Sequence, residues 1–396
     1  MPFDFDRIIE RHGTDSLKYD FAVKRGLPAD VLPLWVADMD FHVPPMVVDA
    51  LVERSRHGIF GYSDAAGSDY FDALAAWYVN RFDWVLQPEW LVKTPGVVFA
   101  LFAAIRALTC EGDSVLIQEP VYPPFHEAVL TCRRNLVVNP LVYEGGRYGL
   151  DLADFERKIV ESKVRLFILC SPHNPVGRVW TEAELVAMGD VCVRHDVLVV
   201  ADEIHSDLIL PSHRHRSFAR LRPAFANLAV TCTAPSKTFN LPGLQVANLL
   251  IPNPDLRREF VAEMHRTGYS QPNVMGLVAC RAAYASGGLW LDELLIYLDG
   301  NFAYLKKQLT LRLPRVRPVD LEGTYLAWLD CRALGLSDPE IKRRLLEDGR
   351  LWLSYGSDFG LGGEGFLRLN LACPRATLED ALTRLVRALD GKDCST

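Results

Sequence analysis

The sequence predicts an α/β fold, in which a large domain built on a mostly parallel sheet carries a smaller α+β domain. Three observations predict it. The runs Val164–Cys170, Val197–Ala201 and Leu228–Cys232 are almost continuously apolar, as strands buried on both faces must be. They alternate with segments of helical period, and repeated β-α-β order produces parallel strands joined by crossover helices. The 396 residues are too many for one simple core and suit a large domain with a smaller companion.

Taken in order, Asp69–Phe82 reads as a helix because Tyr70, Leu74, Trp77 and Tyr78 share one face. A glycine turn at Gly96 opens an apolar helix, which leads to a strand at Ser114–Gln118 and then, by a crossover, to the strand before Ser171. The next helix begins near Thr181, with Glu182 and Glu184 in the first turn where acids suit the helix dipole. It leads to the strand before Asp202. Past Trp290 the pattern becomes a long helix, Leu291–Leu311, followed by shorter strands and helices. Gly287-Gly288 marks either a hinge or a helix-breaking turn. These changes place a large domain at residues 50–288 and a small domain at 1–49 together with 289–396.

Composition narrows the function. Hydrophobic residues make up 49% and charged residues 23%, so a packed globular chain is expected. A formal charge of -7 argues against nonspecific nucleic-acid binding. No apolar run approaches membrane-spanning length, and Met1–Asp6 lacks the features of a signal peptide, so a cytoplasmic protein without membrane partners is expected. The nine cysteines are scattered without C-x-x-C pairs and read as reduced core thiols; neither disulfides nor a metal site is expected. His213-Arg214-His215-Arg216 reads as a solvated loop, since its arginines disfavour a bound cation.

Chemistry gathers where the apolar runs end. Lys237 follows Leu228–Cys232 within APSKTFNLPG, where a lysine that is neutral part of the time forms a Schiff base with an aldehyde cofactor and later moves a proton. Asp202 closes Val197–Ala201, at the sheet edge where a carboxylate can pair with a protonated pyridine nitrogen. Asn174 follows Val164–Cys170 between two prolines, which fix the direction of its amide. Gly96, Val97 and Val98 open an apolar helix whose free N–H groups suit a phosphate. Each has a plainer reading alone: an exposed lysine, a turn acid, a proline turn, an ordinary helix start. Their order along one chain is what selects the chemical reading.

That pattern resembles the class I/II aminotransferase superfamily, the pyridoxal-phosphate enzymes with the aspartate-aminotransferase-like fold, over essentially the whole chain. The resemblance implies that Lys237 carries the cofactor, Asp202 pairs with its pyridine nitrogen and Asn174 donates to its phenolate oxygen. It further implies that Tyr122 covers the ring face, that Ser236 adds a hydroxyl to the phosphate site, and that Arg368, in Gly365–Ala372, grips the substrate carboxylate with Asn174 assisting. Read alone, Tyr122 is a core tyrosine and Arg368 a surface arginine on a strand. Two positions depart from the general pattern. Gln245 stands where aminotransferases carry a phosphate-binding arginine, and His205 where they carry a tyrosine.

Both departures, with Leu34–Phe41, Phe60–Ser63, Asp202–Asp207 and Ala234–Leu241, resemble the bacterial cystathionine β-lyases and related C–S lyases. The resemblance implies β-elimination from an amino-acid thioether to a thiol, pyruvate and ammonia. It also implies a homodimer with shared active sites, in which Tyr62 reaches the neighbouring subunit's cofactor phosphate; alone, Tyr62 reads as a turn residue packed on its own subunit. An aminotransferase is the alternative enzyme, sharing every step through α-proton removal. A pyridoxal-phosphate-binding regulator acting through a partner is the alternative outside catalysis.

Overall fold

The structure is a computed structural model, and it describes residues 3–64 and 67–390, without the side chain of Ser68. The opening Met1-Pro2 and the closing residues 391–396, Cys394 among them, lie outside the described residues.

Seven strands form the main sheet: β1 (Leu91–Thr94), β2 (Ser114–Glu119), β3 (Asn135–Pro140), β4 (Val164–Cys170), β5 (Leu198–Asp202), β6 (Ala229–Thr233) and β7 (Ala247–Leu250). Their spatial order is β1-β7-β6-β5-β4-β2-β3, and only β7 runs against its neighbours. All residues of β2 and β6 are buried, as expected for strands covered on both faces. The register aligns Cys170 with Asp202 and Asp202 with Cys232, so the carboxyl ends of β4, β5 and β6 stand level. The segments leaving these three strands therefore meet at one crevice.

The helix after Gly96 spans Val97–Leu108 and buries Ala100, Leu101 and Ala104 in the core on one sheet face, where Pro254–Arg266 packs against it. The helix near Thr181 spans Glu182–Arg194, and Thr181 and Glu184 form a capping box that satisfies two N-terminal N–H groups. Its Leu185 and Met188 join the core on the opposite face. The helix read at Asp69–Phe82 spans Ser68–Phe82, with Tyr70, Leu74, Trp77 and Tyr78 all buried. Gly287 is a corner between Val274–Ser286 and Gly288–Arg312, which are bent by 79°. A Cβ there would lie 2.5 Å from both Ala283 O and Phe239 Cε1, so the position is a packed turn.

Four further strands make a separate antiparallel sheet: β8 (Arg317–Pro318), β9 (Leu326–Asp330), β10 (Ser354–Tyr355) and β11 (Phe366–Asn370), in the order β8-β9-β11-β10. The alternation around Arg368 suggests a half-exposed strand, yet every residue of β11 is buried. Its polar side chains Arg368 and Asn370 turn toward the segment 35–38, not toward water.

The solvated-loop reading of 213–216 holds for His213 and Arg214, which are exposed in a loop, but not for His215 and Arg216. His215 is buried with Nε2 3.1 Å from Glu203 Oε2, and Arg216 faces Glu182 at 3.4 Å. Glu203 is buried beside the end of β5 and needs such a partner, which the sequence pattern does not reveal. Among the described residues eight cysteines are free thiols, and all but Cys110 are buried. No single helix there is long and apolar enough to cross a membrane.

Candidate active site

The level ends of β4, β5 and β6 open into a cavity of about 760 Å³. Gly96, Val97, Val98, Tyr122, Asn174, Asp202, His205, Ser236, Lys237 and Arg368 all line it.

Lys237 sits in a single helical turn, Pro235–Thr238, entered directly from β6. Its Nζ donates to Ala37 O at 2.6 Å. Burial lowers the amine pKa to about 8; the Arg368 charge acts in the same sense, while Asp38 and Asp202 pull the other way. A buried ammonium costs more than a buried amine, so the neutral, nucleophilic form becomes accessible. Asp202 is the last residue of β5, and its Oδ1 accepts from the Ile204 N–H at 3.2 Å. Burial raises its carboxyl to about 7, and Glu203 adds to this, against the Ile204 N–H and Lys237. A carboxylate held in that state gains by meeting a cation.

Arg368 is buried without a carboxylate partner among the described residues. Its Nη1 donates to Asn174 Oδ1 at 3.0 Å, and its Nη2 to Trp35 O at 2.7 Å and Ser354 Oγ at 3.1 Å. Its Nε has no partner among the described residues. Burial lowers the guanidinium to about 10, partly offset by Tyr122, Tyr325 and Asp358. An unpaired buried guanidinium is an anion site in waiting. With Asn174 Oδ1 engaged by Arg368, the amide nitrogen is the end left to donate.

The turn that carries Asn174 is pinned from below. Arg178 is almost fully buried and donates to Glu322 at 2.9 Å and to Glu184 at 2.8 Å, while His173 Nε2 lies 3.0 Å from Pro120 O. His205 is buried with Nδ1 unpartnered among the described residues, and burial lowers its pKa to about 3, so it is neutral. Gly96 stands at the N-cap of Val97–Leu108, after the bend at Pro95, with extended backbone at φ 170, so the chain opens the helix there without a left-handed glycine conformation. The N–H groups of the helix start at Val97 are nonetheless free of intrahelical bonds. Ser236 and Gln245 also line the cavity.

Tyr62 is the one candidate that this chain does not bring to the cavity. Its 97% exposure removes the reading of a tyrosine packed on its own subunit. Several cavity residues escape the sequence reading: the carbonyls of Trp35 and Ala37, and the side chains of Leu17, Asp358 and Phe359. A carbonyl leaves no side-chain signal. Phe359 packs 4.9 Å from Arg368 Cζ, and only its place in the fold shows this.

A parallel sheet with an amine, an acid, a helix start and a buried guanidinium at its carboxyl edge defines a pyridoxal-phosphate-type site. The chain belongs to the aminotransferase class I and II family, whose profile matches residues 29–385. It is similar to the cystathionine beta-lyase PatB of Bacillus subtilis, at 45% identity over 98% of this chain and 100% of that protein. It is also similar to cystalysin from Treponema denticola, whose crystal structure contains pyridoxal 5′-phosphate, with a TM-score of 0.95, 35% identity, and 98% and 99% of the two chains covered. The PLP-bound C-S lyase from Staphylococcus hominis superposes with a TM-score of 0.91 at 32% identity, over 98% of each chain. Pyridoxal 5′-phosphate is the cofactor, and the residues present fit it: a buried amine of lowered pKa, an acid at the adjacent strand end and a helix start for the phosphate.

Proposed function

We propose that this enzyme is a carbon–sulfur lyase that eliminates a thiol from cysteine S-conjugates such as cystathionine, with pyruvate and ammonia as the other products. What supports elimination over transamination is Gln245 and His205 in the cavity lining, together with the similarity to the cystathionine beta-lyase PatB. Lys237 and Arg368 share that cavity, each hung on a carbonyl of the same segment, Ala37 and Trp35. This fixes the distance between the group that moves a proton and the group that holds a carboxylate.

When bound, pyridoxal 5′-phosphate supplies an electron-poor ring that takes up the electron pair left at Cα. The chain supplies the rest. Lys237 Nζ, neutral above about pH 8, removes the α-proton. Asp202 holds a positive charge opposite it, and the Asn174 amide and the Tyr122 ring fix the plane of the ligand. The N–H groups at Val97 and Val98, with Ser236, take the phosphate. Arg368 grips the α-carboxylate through two parallel bonds, and so orients the Cα–H bond toward Lys237. The departing thiolate leaves from Cβ. Gln245 and His205 keep extra positive charge from the site, as in the lyase branch this chain resembles.

The same reading makes the enzyme a cytoplasmic homodimer in which Tyr62 serves the partner's site. It divides the chain into a large domain at 50–288 and a small one at 1–49 with 289–396. The main sheet lies wholly within the first range and the four-stranded sheet wholly within the second, which supports that division.

The test is pyruvate release from L-cystathionine by the holoenzyme with no keto acid present. Pyruvate under those conditions means elimination; strict dependence on a keto-acid acceptor means the chain is an aminotransferase.

A further inference from the structure

Among the described residues, four charged side chains line the cavity: Asp202, Lys237, Arg368 and Asp358. The chemistry above uses three of them. Asp358 is exposed at the cavity edge, on the turn Gly356–Phe359, and makes no hydrogen bond or ion pair among the described residues. The turn itself is held firmly. Phe359 O accepts from the Val121 N–H at 2.9 Å, one residue before Tyr122, and the Phe359 ring is buried against Arg368. Asp358 therefore stands one residue from the ring that packs on the carboxylate grip. Its charge reaches Arg368, whose protonated form it favours. Much of the remaining lining is apolar, including Leu17, Trp35 and Val246, and cannot discriminate charge.

For an amino acid held at Arg368 by its carboxylate, a thioether arm directed to the cavity edge passes Asp358, which lines the cavity and is exposed. A cation on that arm meets one unpaired carboxylate, whereas an anion there is repelled. Resting on the elimination reading, we propose that Asp358 recognises an ammonium group carried by the departing thiol, so that ammonium-bearing thioethers are selected over neutral and anionic ones. Such a preference is built from attraction and repulsion together.

The experiment compares the holoenzyme with Asp358→Asn and Asp358→Lys on three thioethers: S-(2-aminoethyl)-L-cysteine, S-propyl-L-cysteine and S-carboxymethyl-L-cysteine. Asp358→Asn lowers the kcat/KM ratio of the aminoethyl over the propyl substrate about tenfold, mostly through KM, as expected for one charge-assisted hydrogen bond. Asp358→Lys lowers it further and raises the relative use of the carboxymethyl substrate. Unmoved ratios overturn the proposal, because a residue acting through Arg368 alone affects the shared carboxylate equally in all three. Pyruvate from S-propyl-L-cysteine with the wild-type enzyme tests elimination separately. Where none forms, the same ratios are read from dissociation constants by spectral titration of the holoenzyme, and the same two results decide.

Discussion

An amine that must be neutral to attack an aldehyde gains most by losing its water. Lys237 does so through burial, and its pKa of about 8 lets the neutral form appear well below the usual lysine range of about 10.4. Cofactor uptake by the apoprotein is accordingly expected to speed up with pH, with a midpoint near 8. A midpoint near that of free lysine contradicts this. Lys237→Ala is expected to cut elimination by at least roughly 10²–10⁴-fold, the range of a positioned proton-transfer group. Asp202 shows the opposite balance, because its folded pKa of about 7 lies above the unfolded value. Its contribution to stability is present below the unfolded pKa of about 3.9 and is lost as pH rises through about 7. Asp202→Asn is therefore expected to raise the melting temperature of the apoprotein above pH 7 while lowering activity, and the stability gain closes as pH falls toward about 4.

At the scale of elements, the segment 35–40 joins the site to the N-terminal residues. Its carbonyls accept from Arg368, Lys237 and Asn370, and its Asp38 and Asp40 are held by Arg11 and Lys18. Lys18 is fully buried, 2.8 Å from Asp40. Removing one partner of such a pair strands a buried charge, so Lys18→Ala is expected to cost about 3–5 kcal/mol in denaturant unfolding. A loss below about 1 kcal/mol, the worth of a surface pair, contradicts it. None of this lattice is legible in the sequence, because Lys18 has no local feature that separates it from an exposed lysine. The strands were legible for the opposite reason. Long apolar runs closing in Asp202 or opening onto Lys237 carry burial and chemistry in the same few residues. Arg368 was legible only by resemblance, since a polar residue facing a cavity alternates just as one facing water does. His215 misled because its partner Glu203 lies twelve residues away, across a loop.

At the scale of the whole molecule, Tyr62 is the informative residue. It is 97% exposed, and its neighbours Ile59 and Phe60 are 64% and 58% exposed, so this stretch offers apolar surface that a second copy of the chain can cover. If Tyr62 serves the partner's cofactor, Lys237→Ala and Tyr62→Ala subunits each lack a different part of the shared site. Mixed and reassembled, the two weak variants are expected to regain activity, since each hybrid dimer contains one site with both residues intact. Mixtures no more active than their parents would place Tyr62 outside catalysis.

The function rests most heavily on one buried amine carrying the cofactor. Borohydride reduction of the coloured holoenzyme, followed by peptide mapping, reads this directly. A single pyridoxyl group on Lys237 is the expected result; a label on another lysine such as Lys93, or no fixed label at all, contradicts it.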